Sequence, residues 1–236
     1  MSNPSWKKII IKPNALQHTA YADWYRYGTS DPAGVPMVVY VGGAIPKNTY
    51  SERQATRPDI IAVEFENARE LNPMACVDLL IIPCPLSIME RRSVWRSEFR
   101  EHFTRELLPA IENREPLRMS VVGYSLGSYF AMCLLAERAT ACGLATVGGA
   151  GMPEALLESD PPDLHKKRII SFCNENDHLF EITEKFRNTL LSRGIHLETT
   201  RRAGGHPFRN YAENGSVRDA FAFALQCLQK RGTWIA

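Results

Sequence analysis

The sequence of 236 residues predicts an α/β fold, in which a mostly parallel sheet of about eight strands is covered by helices on both faces. Short runs such as Met37–Val41 are apolar at every position, as expected of central strands that are buried on both sides. These runs alternate along the chain with segments whose apolar residues recur at helical spacing. Two strand-like segments follow one another at the N-terminal end, before the alternation starts.

Turn residues and changes of periodicity set the expected boundaries of the elements. Strands are predicted at 7–12, 21–27, 37–41, 79–82, 119–122, 144–147, 168–173 and 195–200. Helices are predicted at 58–71, 97–113, 126–139, 181–193 and from residue 216 onward. The segment 58–71 leaves a second interpretation open, because its short apolar run at 60–63 would also suit a strand.

Length and composition favour one globular domain over residues 1–236. Apolar residues make up 44% and charged residues 23% of the chain, which is typical of a folded domain. The formal charge of +2 is too small to indicate nucleic acid or an anionic membrane as a partner. The sequence leaves the oligomeric state open.

The distribution of apolar segments and cysteines bears on the compartment. No apolar run approaches the ~20 residues that span a bilayer, and the first residues lack the pattern of a signal peptide. The six cysteines are scattered without a C-x-x-C pair, so reduced thiols in the cytoplasm are expected. Cysteines and histidines show no metal-ligand spacing, and we expect neither a metal nor another cofactor.

The residues Gly123-Tyr124-Ser125-Leu126-Gly127 stand where a predicted buried strand meets a predicted helix. The string G-x-S-x-G arises by chance in some chains, but this strand–turn–helix context makes chance much rarer. A sharp turn would hold Ser125 in a strained backbone conformation and place its hydroxyl near a helix N-terminus, which favours negative charge. The alternative is a helix-capping serine in an ordinary glycine-rich turn.

In this motif, and in the order of its strands and helices over nearly the whole chain, the sequence resembles the α/β-hydrolase superfamily. The resemblance implies that Ser125 is a nucleophile, followed along the chain by an acid and then a histidine. It also implies hydrolysis of a carboxylic ester or thioester through an acyl-enzyme, with the amide of Leu126 as one oxyanion donor. Two alternatives stay open: an acyltransferase or cyclase with the same triad, and a binding protein of this fold without turnover.

A serine hydroxyl needs an imidazole to accept its proton, and His206 is the predicted base. It follows the last predicted strand through a glycine-rich loop, at the strand end where catalytic groups gather in parallel sheets. Asp177 follows the strand 168–173, where the resemblance implies the acid that orients this histidine. Glu175 is the alternative acid, and the neighbouring His178 is a weaker alternative base.

The second oxyanion donor is expected directly after the strand 37–41, in Gly42-Gly43-Ala44. Related hydrolases often have His-Gly there, whereas this chain has Val41-Gly42. The departure leaves the donor open between the backbone amides of Gly43 and Ala44. A plain turn that needs glycine is the alternative interpretation.

The connection 148–167 is too short for a helical lid domain, so we expect a minimal cap and a small-molecule or carrier-bound acyl substrate. Five arginines fall in loops that could rim the site, and arginine suits carboxylate or phosphate recognition. They motivate the hypothesis of an anionic substrate: Arg91, Arg92, Arg201, Arg202 and Arg209. Aromatic side chains that could add apolar walls are Trp95, Tyr124 and Phe208.

Overall fold

The structure is a computed structural model that describes residues 4–11, 20–28, 35–43, 58–83, 99, 101–111, 118–149 and 164–229. Its strands are β1 (Ser5–Ile11), β2 (Ala20–Tyr27), β3 (Met37–Val41), β4 (Val77–Ile82), β5 (Met119–Tyr124), β6 (Ala141–Val147), β7 (Arg168–Asn174) and β8 (Leu197–Arg202). Its helices are α1 (Pro58–Leu71), α2 (102–110), α3 (Gly127–Glu137), α4 (Phe180–Ser192), α5 (Phe208–Glu213) and α6 (Ser216–Gln229). None of the described helices is long and apolar enough to span a membrane.

All eight strands form one sheet in the order β1-β2-β4-β3-β5-β6-β7-β8. The strand β2 pairs antiparallel with β1 and β4, and every other pair is parallel. This confirms the predicted mostly parallel sheet of about eight strands. Because β3 and β5 are neighbours, with Val41 opposite Gly123, the turns that follow these two strands leave the sheet side by side.

Apolar side chains on each face of the sheet form a separate layer of core. Along β3, Val39 and Val41 join the cluster with α2 and α3, whereas Val38 and Tyr40 join the cluster with α1 and α6. The alternation follows from the two-residue period of a strand, since successive side chains point to opposite faces. It explains why the central strands are apolar at every position.

Most predicted elements are present, with ends displaced by a few residues. The segment 58–71 is the helix α1, so its interpretation as a strand is wrong. The last strand begins two residues later than predicted, at Leu197. The short helix α5 was not predicted, because its six residues carry no repeated apolar pattern. The connection 148–167 lies largely outside the described residues, so the minimal cap stays a prediction.

The helix expected over 97–113 departs from regular α geometry where the structure describes it. Its residues His102–Leu107 are π-helical and continue as an α-helical turn over Leu108–Ala110. Apolar side chains placed at steps of four face the core together, as predicted: Phe99, Phe103, Leu107 and Ile111. A four-residue step is longer than the 3.6 residues of an α-helical turn, and the wider π turn accommodates it.

Phe221 of α6 tests the packing of the α1/α6 layer. Its side chain is fully buried, 5.3 Å from the Phe65 ring and 5.9 Å from the Tyr40 ring, measured between centroids. We expect Phe221→Ala to lower the free energy of unfolding by about 3–5 kcal/mol, because it leaves a cavity between these rings. Denaturant titration measures the loss. The matched control Leu191→Ala, at a position 41% exposed, should cost about 0.5 kcal/mol or less; equal losses would contradict the assigned core.

Candidate active site

Ser125 occupies a strained turn between β5 and α3. Its φ is 51°, and among the described residues no other non-glycine residue has a positive φ. Such a conformation is uncommon for a residue with a Cβ and persists only where the surroundings enforce it. The Ser125 amide donates to the Val147 carbonyl at 2.9 Å, which fastens the turn to the end of β6. This is the backbone conformation that the G-x-S-x-G motif predicts.

The two glycines of the motif are required by close backbone approaches. A Cβ on Gly123 would lie 2.5 Å from the Cα of Ser128, in the first turn of α3. A Cβ on Gly127 would overlap the Val41 carbonyl oxygen and lie 2.5 Å from that of Gly42. The first glycine therefore lets α3 fold back over β5, and the second lets α3 begin against the end of β3.

Three side chains from different parts of the chain form a hydrogen-bonded chain at this turn. His206 Nε2 lies 3.0 Å from Ser125 Oγ. On the other side of the ring, His206 Nδ1 lies 2.9 Å from Asp177 Oδ2 and 3.1 Å from Oδ1. A carboxylate only accepts hydrogen bonds, so Nδ1 carries the proton and Nε2 accepts from the Ser125 hydroxyl. The structure thus brings the three predicted residues together in the order Ser–His–Asp.

Asp177 is buried, and all its oxygens are engaged. Its side chain has no exposed surface. Besides His206, it accepts hydrogen bonds from the Tyr211 hydroxyl at 2.6 Å and from the Leu179 amide at 2.8 Å. Burial alone would raise the pKa of the Asp177 carboxyl, but the hydrogen bonds from His206, Tyr211 and Leu179 outweigh it and lower this pKa below its ordinary value. Asp177 is therefore held as the anion.

The loop that carries His206 is fastened by contacts from three directions. The Tyr124 hydroxyl donates to the His206 carbonyl at 2.7 Å, and the two rings stack with centroids 5.7 Å apart. The side-chain amide of Asn174 donates from Nδ2 to the Gly205 carbonyl at 3.1 Å. Asn214 in turn donates to the Asn174 side-chain oxygen at 2.8 Å. These contacts hold both the backbone and the ring of His206 in place.

Two backbone segments flank Ser125: the start of α3 and the turn after β3. Within the described residues no acceptor faces the amide of Leu126, which stands at the N-terminus of α3. Gly43 passes so close that a Cβ on it would lie 3.0 Å from the Ser125 Cβ. The Gly42 amide is engaged with the Ile82 carbonyl at 2.8 Å. Leu126 and Gly43 thus both lie beside Ser125, while Ala44, the alternative donor, lies outside the described residues.

Alternative site residues are placed differently. Glu175 is exposed, whereas Asp177 contacts His206. His178 is exposed and does not contact Ser125, but its ring lies 4.4 Å from that of His206. Asp177, His178 and His206 offer ligand atoms within 4.8 Å of one another, a spacing that could hold a metal ion.

The residues expected to read the substrate have mixed placements. Arg91, Arg92 and Trp95 lie outside the described residues. The other arginines are each paired within the chain: Arg201 with Glu184, Arg202 with Asp219, and Arg209 with Glu213. Phe208 packs edge-on against Tyr124 with centroids 5.1 Å apart. The hydroxyl of Tyr124 donates to the His206 carbonyl, so Tyr124 helps to position His206. The sequence motif did not suggest this contact.

Sequence reasoning missed Tyr211, Asn174 and Asn214. They lie in or beside the unpredicted helix α5 and at the end of β7, and they act on residues far away in the sequence. The only signal available was that polar residues follow β7 and β8 at the strand ends where the site forms. Nothing in the local sequence distinguishes them from loop residues.

No protein-family model matches the sequence, and no curated protein matches it significantly. Solved structures do match over nearly the whole chain. A ferulic acid esterase aligns with a TM-score of 0.71 at 12% identity, over 95% of this chain and 99% of that one. The S-formylglutathione hydrolase of Staphylococcus aureus gives 0.68 at 10% identity, over 95% and 100%. A Pyrobaculum calidifontis esterase gives 0.65 at 13%, over 96% and 86%.

The chain has the α/β-hydrolase fold. The resemblance inferred from the sequence is thereby confirmed at the level of fold. Sequence identities of 10–13% to these solved structures establish the fold but not the activity.

Tyr211→Phe tests how Asp177 is kept ionised. The change removes the Tyr211 hydroxyl, which donates to Asp177 and accepts from the backbone N–H of Asn174 at 2.9 Å. We expect the pKa of Asp177 to rise towards its ordinary value, because the anion loses one of its donors. The chemical shift of the Asp177 carboxyl carbon, followed by NMR as pH falls, measures this pKa. An unchanged titration would contradict the assigned role.

The same variant has a defined effect on stability. The pKa of Asp177 is lower in the folded protein than in the unfolded chain, where it is about 3.9. Ionised Asp177 therefore stabilises the folded protein above this unfolded pKa. The stabilisation is lost as the pH falls through the folded pKa. Tyr211→Phe should therefore cost about 1.5–3 kcal/mol of unfolding free energy at neutral pH. The difference from wild type should shrink in acid, as Asp177 becomes protonated in both proteins.

Proposed function

We propose that the protein is a serine hydrolase that cleaves a carboxylic ester or thioester through an acyl-enzyme intermediate. One observation carries the proposal: a strained Ser125 lies 3.0 Å from His206 Nε2, and Nδ1 of the same ring is held by a buried carboxylate. Nucleophile, base and orienting acid are the parts that activation of a serine requires. The esterases and the S-formylglutathione hydrolase among the similar folds support ester and thioester as the substrate classes.

In the first step, His206 Nε2 takes the proton of the Ser125 hydroxyl as Oγ attacks the acyl carbonyl. The imidazole becomes a cation beside the Asp177 anion, and this ion pair stabilises it. Asp177 also fixes the tautomer in which Nε2 is free to accept. The Tyr211 hydroxyl and the Leu179 amide hold the carboxylate in place, so the ring does not need to reorient during the reaction.

The attack places a negative charge on the former carbonyl oxygen. The amides of Leu126 and Gly43 would donate to this oxyanion, with Ala44 as the alternative to Gly43. Such donors act strongly because they are already aligned and cost no reorganisation; removing one typically lowers kcat about 100- to 1000-fold. The N-terminus of α3 adds its positive end to the same point.

Collapse of this intermediate expels the alcohol or thiol, which takes the proton from His206, and leaves the acyl group on Ser125. A water molecule then gives a proton to His206 Nε2 and attacks the acyl-enzyme. The second collapse releases the carboxylic acid and returns the proton to Ser125. His206 Nε2 takes part in every proton transfer, accepting from Ser125 and then from water, and donating to the leaving group and then to Ser125.

A carboxylic acid is the product only if water takes the acyl group. The same residues would serve an acyltransferase or cyclase, in which an alcohol or amine takes that position. The hypothesis of an anionic substrate has lost part of its support, because Arg201, Arg202 and Arg209 already have carboxylate partners. We therefore propose neutral p-nitrophenyl esters and acyl-thioesters as the first substrates to compare.

A fluorophosphonate probe tests the activated serine without knowledge of the substrate. Wild type should be labelled covalently with one equivalent, and Ser125→Ala should not be labelled at all, because the attacking oxygen is gone. Asp177→Asn should be labelled far more slowly, since the amide favours the wrong tautomer of His206; the expected loss is about 10⁴-fold by analogy with serine proteases. Intact-protein mass spectrometry measures labelling.

Ser128→Ala is the matched control for the missing hydroxyl. The Ser128 hydroxyl is buried in the first turn of α3, next to the Ser125 turn, and donates to the Gly123 carbonyl, so its loss tests the fold rather than the nucleophile. This variant should still be labelled. Folded wild-type protein that resists the probe would overturn the proposal in favour of a binding protein.

Product analysis separates hydrolysis from acyl transfer. With a p-nitrophenyl ester as substrate, we expect the free carboxylic acid as the product both with and without an added alcohol or amine acceptor. Mass spectrometry of the acyl products measures the partition. A transferred acyl product that dominates at low acceptor concentration would identify an acyltransferase.

A further inference from the structure

His178 brings a third metal-ligating atom to Asp177 and His206. Its Nδ1 lies 3.6 Å from Asp177 Oδ1, and the same oxygen lies 3.1 Å from His206 Nδ1. The two imidazole rings meet edge to face, with an interplanar angle of 67°. The reaction proposed above uses His206 and Asp177 but gives His178 no role.

These distances match the spacing of ligands around a small divalent ion. Zinc binds histidine nitrogen and carboxylate oxygen at about 2.0–2.2 Å, so neighbouring ligand atoms in a tetrahedral site lie about 3.3–3.5 Å apart. The two measured separations, 3.1 Å and 3.6 Å, fall on either side of this range. The ligand atoms of all three residues lie within 4.8 Å of one another, so side-chain movements on the order of 1 Å would bring them onto one ion.

The surroundings also suit an ion at this point. The Tyr211 hydroxyl and the Leu179 amide donate to the Asp177 carboxylate independently of His206, and such bonds orient a carboxylate ligand. The side chain of His178 is 67% exposed, so its nitrogen can meet an ion from solvent. Two histidines and a carboxylate are a common zinc ligand set that leaves the fourth position to water.

We propose that Asp177 Oδ1, His178 Nδ1 and His206 Nδ1 form a regulatory site at which Zn²⁺ inhibits the enzyme. The ion would take the place of the proton on His206 Nδ1 and break the bond from that nitrogen to Asp177. A neutral imidazole that binds metal through Nδ1 carries its proton on Nε2. Nε2 can then no longer accept the proton of Ser125, and the serine loses its base.

Metal binding at this site is thus incompatible with the active tautomer of His206. The inhibitory part of the inference rests on the proposed function, whereas the metal site itself does not. Metal-ligand spacing along the chain does not reveal this site, because His206 is 29 residues from Asp177. His178, next to Asp177 in the chain, is the one ligand that the proposed reaction does not need.

Zinc titration of the whole protein tests the two parts separately. Isothermal titration calorimetry with ZnCl₂ measures binding, and fluorophosphonate labelling at each zinc concentration measures the reactivity of Ser125. Wild type should bind one ion and lose labelling in proportion to occupancy, with full recovery after EDTA. Without zinc, His178→Ala should be labelled as wild type is. It should bind zinc at least about 10- to 100-fold more weakly, because losing a residue that only hydrogen-bonds to a metal ligand already weakens binding by that factor.

His196→Ala is the matched control, because it removes another exposed histidine that lies outside the group of possible ligands. It should bind zinc as wild type does. The site is overturned if wild type shows no saturable binding up to on the order of 1 mM zinc, or if His178→Ala binds as tightly as wild type. If the calorimetry supports the site but wild type is never labelled, the metal site stands and the proposed hydrolase fails.

Discussion

The hydrogen bond from His206 Nδ1 to the buried carboxylate of Asp177 determines the chemistry of the site, since it decides which imidazole nitrogen faces Ser125 as an acceptor. An aspartate with no exposed side-chain surface stays ionised here because Tyr211, Leu179 and His206 all donate to it. The proposed reaction and the proposed zinc site both depend on the negative charge of the Asp177 carboxylate. A proton on Nδ1 allows the first, and an ion in its place allows the second.

Around this bond, backbone atoms approach more closely than side chains would permit. The glycines of the G-x-S-x-G motif let α3 fold against β5 and begin beside β3, and Gly43 passes close to Ser125. The strained φ of Ser125 is one result, and the close approach of the turn after β3 to Ser125 is another. A rigid arrangement suits the proposed stabilisation of an oxyanion, because donors that are already aligned need no reorganisation.

The fold could be predicted from the sequence because its signals are local: apolar runs for buried strands, four-residue steps for helices, and glycines at one sharp turn. Ser125, Asp177 and His206 could be named because each follows a strand end on the same edge of the sheet and because the resemblance to α/β-hydrolases implies the order serine, acid, histidine. The contacts of Tyr211, Asn174 and Asn214 could not, because hydrogen bonds between distant segments leave no pattern in a local window. The arginines show the converse: counting their charges suggested a ligand, but the structure supplies their partners from the chain itself.

The positions of the site residues along the chain determine when the site can form. Ser125 and His206 are 81 residues apart, and the turn at Gly43 precedes both, so no contiguous fragment shorter than most of the chain contains the whole site. The turn at Ser125 contacts the ends of β3, β5 and β6, whereas His206 lies in the segment after β8. The contact between Ser125 and His206 can therefore form only after most of the chain has been synthesised. In the proposed reaction, the Ser125 hydroxyl would stay without its base until the segment after β8 had docked.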